Sequence, residues 1–208
     1  MSTDFPRPAA TAAAAMIAMA LAAAMPGGGA SAQEAGGEPA AGIGTEAAEG
    51  AGTEEGSAYF GETFQDWRFR CVRAPEGQRD PCQLYQLLED QGGNPVAEIT
   101  VIPLPEERSD AVAGVTIVTP LGSLLTAGLN VSIDGGEAAG YPFRLCNQAG
   151  CVVQFGLSAN DLTAFKRGAT ANITVVPAQA PDQTIRLDAS LSGFTAAYEA
   201  LLERRSGN

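Results

Sequence analysis

The four cysteines are the residues of this sequence best suited to do chemistry, and their spacing decides which chemistry is open to them. Cys71 and Cys82 flank Val-Arg-Ala-Pro-Glu-Gly-Gln-Arg-Asp-Pro, while Cys146 and Cys151 flank Asn-Gln-Ala-Gly. Each pair brackets a turn-forming stretch between apolar runs, so the local bonds Cys71–Cys82 and Cys146–Cys151 are the simplest of the possible pairings. The loop-entropy argument makes the first worth roughly 3 kcal/mol and the second about 2 kcal/mol. Two alternatives stay open. Four thiolates can hold zinc, although structural zinc favours C-x2–4-C knuckles and a compartment that keeps thiols reduced. Thiol–disulfide exchange favours C-x-x-C, which neither pair has.

Histidine is absent altogether. Ser-His-Asp and Cys-His nucleophile systems need that imidazole as base, and the usual histidine-containing zinc and copper sites need it as ligand. Paired carboxylates are the one acid–base system left open. Asp66, Glu98, Asp110 and Asp188 are the candidates, at outward strand or loop positions and in no recognisable catalytic context. The expectation is therefore a protein without catalytic residues, cofactor or metal. A carboxylate-based glycan hydrolase and a thiol–disulfide protein are the alternatives.

The elements that hold these residues alternate with a period of two. Trp67, Phe69 and Cys71 interleave with Arg68 and Arg70, which predicts a strand with an inner and an outer face. Further strands are expected at Cys82–Leu88, Ala97–Val101, Val112–Thr119, Leu129–Ile133, Ile173–Val176 and Ile185–Leu191, with Phe143–Cys146 and Cys151–Phe155 forming a hairpin closed by its own disulfide. Asp134-Gly135-Gly136 is a turn signal. Short, evenly spaced strands predict an all-β domain, an antiparallel sandwich or barrel, with two short helices and two local disulfides.

The first helix is expected over Ser158–Arg167. Ser158 is its N-cap, Asp161 completes a capping-box-like pair, Leu162 and Phe165 share a face, and Gly168 ends it. The second is expected over Thr195–Arg205, with Tyr198, Leu201 and Leu202 on a core-facing stripe. Trp67 is expected to pack inward against a disulfide. Gly122 and Gly128 are expected to frame Leu124-Leu125 as a buried or groove-lining plug, ordinary core between strands.

Ahead of this domain lie two segments of different composition. Ala9–Ala24 runs without a charge, Pro26-Gly27-Gly28-Gly29 breaks it, and Ala30-Ser31-Ala32 precedes Gln33. That is a signal-peptide pattern, with Ala30 and Ala32 in the peptidase subsites and Gln33 as the first mature residue. The run is too short and too rich in alanine for a membrane span. Residues 33–58 carry six glutamates and no base among alanines and glycines, which predicts a disordered acidic tether. The domain proper is then 59–208.

The formal charge is −12, to which residues 1–32 contribute zero and the tether −6. The remaining domain is acidic and has one lysine, Lys166, so nucleic acid is not an expected partner. The mature chain is expected to lie in the periplasm or on the cell surface of a Gram-negative bacterium. It has no integral span, and its partner is an envelope protein or a glycan.

Several segments together resemble one family, the invasion-associated locus B proteins of α-proteobacteria. Gly61-Glu-Thr-Phe-Gln-Asp-Trp-Arg-Phe-Arg-Cys71 resembles its opening block, and Cys82-Gln-Leu-Tyr-Gln follows. Thr119-Pro-Leu-Gly-Ser-Leu-Leu-Thr-Ala-Gly-Leu129 resembles its P-L-G-x-L-L-x-x-G-L stretch. Phe143-Arg-Leu-Cys146, Gly150-Cys151-Val152 and Leu191-Ser-Gly-Phe-Thr-Ala-Ala-Tyr-Glu-Ala-Leu201 complete the series over about 59–202. The resemblance implies an exported, envelope-associated protein, linked in some members to entry into host cells. It carries over no catalytic residue.

Overall fold

The computed structural model describes residues 54–90, 92–105 and 110–207. The export segment at 1–32, its cleavage residues and most of the acidic stretch lie outside the described residues. Residues 54–58 are described. Gly56 N–H donates to the Arg73 carbonyl and Arg73 N–H to the Ser57 carbonyl, so ordered pairing begins ahead of residue 59.

Among the described residues eleven strands and two α-helices follow in chain order. They are β1 (Ala58–Phe64), β2 (Trp67–Val72), β3 (Cys82–Glu89), β4 (Pro95–Pro103), β5 (Ala113–Thr119) and β6 (Leu129–Ile133). Then come β7 (Ala139–Tyr141), β8 (Phe143–Asn147), β9 (Gly150–Leu157), α1 (Ala159–Arg167), β10 (Thr170–Val175), β11 (Ile185–Ser190) and α2 (Phe194–Ser206). The strands form a seven-stranded sheet in the order β1-β2-β3-β4-β5-β9-β8 and a four-stranded sheet in the order β11-β10-β6-β7. Every pairing is antiparallel. The result is sandwich-like, as the alternation predicts.

One core joins the sheets. Trp67, Leu84, Ile99 and Ile117 from the large sheet are fully buried with Leu129, Ile173 and Leu187 from the small one. The period of two is visible in β5, where Ala113, Val115, Ile117 and Thr119 are buried and the residues between them are not. Arg68 and Arg70 sit on the outer face of β2, as expected. The Arg68 guanidinium lies 3.6 Å over the Phe60 ring, and Arg70 pairs with Glu98 at 3.2 Å.

Both disulfides form as the spacing suggests. Cys71 faces Cys82 across the β2–β3 pair, and Cys146 faces Cys151 across β8–β9. Register explains the choice, because each bond joins residues directly opposite on neighbouring strands. Trp67 does not pack on a disulfide. It stands four residues along β2 from Cys71, roughly 13 Å by strand geometry. Its ring meets Phe194 edge-on at 5.2 Å, and its Nε1–H donates to the Ser190 carbonyl.

The first helix begins where its capping signal places it, and the second begins at Phe194, one residue ahead of the expected Thr195. Ser158 accepts from Asp161 N–H while the Asp161 carboxylate accepts from Ser158 N–H, a complete capping box. Phe165 is buried and Leu162 packs at the core edge. In α2 the buried stripe is Phe194, Ala197, Tyr198 and Leu201, whereas Leu202 is exposed. Leu202 lies about 100° round the helix from Leu201, which carries it off the core-facing arc.

Candidate functional site

The segment between β5 and β6 is built unlike the plug its sequence suggests. Leu121 is 61% exposed and Leu125 50%, and Leu124 is half-buried. The reason is that the loop is held by hydrogen bonds rather than by burial. Leu124 N–H donates to the Val176 carbonyl and Ala178 N–H to the Gly122 carbonyl, so the loop is laced to the stretch after β10. Ser123 donates to the Pro120 carbonyl, and its hydroxyl lies 2.9 Å from that of Thr119, which is itself fully buried.

The two glycines permit this course. Gly122 and Gly128 have φ of 98° and 66°, where a side chain is strained, and a Cβ on Gly128 would stand 2.9 Å from the Tyr141 carbonyl oxygen. A short 3-10 turn, Leu125–Ala127, fills the bend between them. The outcome is a rigid ledge. Leu121 lines a shallow apolar groove of about 220 Å³ with Pro120, Val176, Pro177 and Ile185, the last of these 42% exposed. Leu121 thus stands beside an exposed isoleucine in this groove, and Leu125 is exposed on the same braced loop.

The carboxylates of the described residues include the four singled out in sequence, of which two share a cleft. Asp66 and Asp188 line one open cleft, with Glu89 and Arg68. Each is already bonded. Asp66 accepts from Ser190 Oγ at 2.6 Å, and Asp188 accepts from Asn172 Nδ2 and Arg186 Nε, both at 2.9 Å. Partial burial pushes the Asp188 carboxyl up, but the bonds from Arg186 and Asn172 outweigh it and hold the group below its ordinary value. A glycosidase general acid needs the opposite shift.

The rest are scattered. Glu98 is paired with Arg70, Asp110 is exposed in the turn before β5, and Asp134 accepts from the Ala169 and Thr170 amides. Glu137 and Asp161 line a third pocket beside Tyr141 and Phe165, and Asp161 is occupied by its capping box. Among the described residues no group of three or more His, Cys, Asp or Glu is placed to hold a metal ion. A further cleft lies elsewhere, at the C-terminal end of α2, lined by Arg79, Arg204 and Arg205. Sequence reading passed over it because these residues are far apart in the chain.

The ledge occupies the stretch that resembles the P-L-G-x-L-L-x-x-G-L block, and the comparisons bear on that resemblance directly. A family model described as "Invasion associated locus B (IalB) protein" matches residues 67–202. The chain belongs to this family. An "Invasion protein B homolog" of Brucella abortus (strain 2308) is 27% identical over 146 residues, which cover 70% of this chain and 81% of the relative. A second homologue of that name, from B. abortus biovar 1 (strain 9-941), matches to the same extent. The crystal structure of invasion associated protein B from Bartonella henselae has the same fold, with a TM-score of 0.57 at 21% identity over 69% of this chain and 95% of that one. The family's members among these relatives are named for invasion, and none of the names describes an enzyme. No helix among the described residues is long and apolar enough to cross a membrane.

Proposed function

We propose that this chain is an exported envelope protein, mature from Gln33, that acts by binding a protein partner on the Leu121–Leu125 ledge and turns over no substrate. The observation that carries the reading is the exposure of Leu121 and Leu125 on a loop braced by hydrogen bonds to Val176 and Ala178. A loop serving only the fold gains by burying its leucines, at roughly 1.5–3 kcal/mol for each side chain. Leaving two of them in water on a rigid frame is compensated when a partner covers them.

A protein fits the ledge better than a glycan. Sugars are held by flat rings and dense polar donors, and the groove offers leucine, isoleucine, valine and proline instead. Two disulfides suit a chain that works in an oxidising compartment.

The test is a photo-crosslinking side chain placed at Leu121 in the native host, with the adduct identified and its affinity for the purified protein then measured. Leu121→Glu with Leu125→Glu should leave the circular dichroism unchanged, because both positions are exposed, and should weaken that affinity about a hundredfold, the loss of two interface anchors. A folded double variant that binds as tightly as the parent would end the proposal.

A further inference from the structure

The cleft at the C-terminal end of α2 is independent of the ledge and has a different chemistry. It is about 430 Å³, lined by Arg79, Arg204 and Arg205 over a floor of Pro81, Ile102 and Leu201. Arg204 and Arg205 have an evident structural reason, since cations in the last turn of a helix meet its negative end. Arg79 joins them at the same helix end. It arrives from the loop between β2 and β3, 125 residues away, and donates to the Arg204 carbonyl at 2.8 Å. Arg205 likewise donates to the Pro103 carbonyl. Backbone carbonyls orient these guanidinium groups without neutralising them.

The one carboxylate in the lining is engaged elsewhere. Asp80 accepts from Tyr59 Oη at 2.6 Å and from Ala74 N–H at 2.8 Å, and Arg73 stands 3.9 Å away. Among the described residues no carboxylate pairs with Arg79, Arg204 or Arg205 within ion-pair distance. Three exposed guanidinium forks thus converge in a chain whose formal charge is −12. Guanidinium forks match planar and tetrahedral oxyanions. With Asp80 paired to Arg73, the three cations of the cleft are left without a carboxylate, and a phosphomonoester of about −1.5 to −2 offsets them more fully than a single carboxylate does.

We propose that this cleft binds a phosphomonoester, gripped by Arg79, Arg204 and Arg205, with the apolar floor carrying the group to which the phosphate is attached.

The experiment follows the arginine Nε–H signals of the labelled full chain while inorganic phosphate is added at constant ionic strength. Parallel sedimentation uses phosphatidylcholine vesicles with and without phosphatidic acid. Saturable shifts at these three arginines are expected. Arg79→Gln, or Arg204→Gln with Arg205→Gln, should weaken binding about tenfold or more, and Arg79→Lys should fall between, keeping charge but losing the fork. Arg79-dependent sedimentation with phosphatidic acid would identify a lipid headgroup as the source; saturable phosphate binding without sedimentation would identify a soluble phosphate. Shifts that never saturate, or that Arg79→Gln leaves unchanged, would overturn the proposal. So would shifts of the same signals, without phosphate, on replacing Glu46, Glu49, Glu54 and Glu55 by Gln, since the occupant would then be the chain's own acidic stretch.

Discussion

Trp67 ties the opening strand pair to the end of the chain. Its ring is fully buried against Phe194 and its Nε1–H reaches the Ser190 carbonyl, 123 residues on. Trp67→Ala should therefore cost roughly 3–5 kcal/mol, read as a shift in the denaturant midpoint. Ser190 also accepts from Gln86 Nε2, so the loss is one of packing more than of an orphaned carbonyl. Asp80 offers a prediction in pH. The Ala74 amide, then the Tyr59 hydroxyl and Arg73, hold its carboxyl below the ordinary 3.8 and outweigh its desolvation. A folded value below the unfolded one means that the contribution is complete above the unfolded value. It is lost as the pH falls through the folded one. Asp80→Asn should flatten that acid limb in denaturation curves taken from neutral pH downwards. An unchanged limb would show that the carboxylate contributes nothing there.

Among the elements, the two disulfides differ in what they constrain. Cys71–Cys82 closes the longer loop and Cys71 is buried, whereas Cys146 is exposed at the tip of the β8–β9 hairpin. Replacing the first pair by serine should cost roughly 3 kcal/mol and the second about 2 kcal/mol. Thermal unfolding of the two double variants should rank in that order, and the reverse order would show that the hairpin is the more critical staple. These pairs were legible in sequence because each flanks a turn between alternating strands. β1 was not, because Gly61 and a register shift between Phe60 and Thr63 break its alternation, and Gln65 turns into β2 at a φ of 55° without a turn signature. β7 is three residues long, too short for any period to show. The α1 capping box was legible because its bonds are local, Ser158 to Asp161.

For the molecule as a whole, legibility followed the range of the interactions. The ledge was visible as a block of sequence but was expected as a buried or groove-lining plug of ordinary core, since residue type alone says that leucines are buried. What turns it outward is lacing to Val176 and Ala178, some fifty residues on, which no local pattern encodes. Separation along the chain likewise hides the meeting of Asp66 with Asp188 in one cleft, and this pair makes the sharpest test between a binding protein and an enzyme. An alanine scan of Asp66, Glu98, Asp110, Asp134, Glu137, Asp161 and Asp188 should sort by structure. Asp134 and Asp161 should lower stability, because their carboxylates satisfy backbone amides at the turn before β10 and at the start of α1. None should abolish function in a protein that remains folded, because an apolar interface does not hang on one carboxylate, whereas a catalytic pair does. Circular dichroism reports the fold, and partner affinity or complementation in the host reports the function. If Asp66→Ala or Asp188→Ala proved folded and wholly inactive while Leu121→Glu stayed active, the function would lie in that cleft and its chemistry would be that of paired carboxylates.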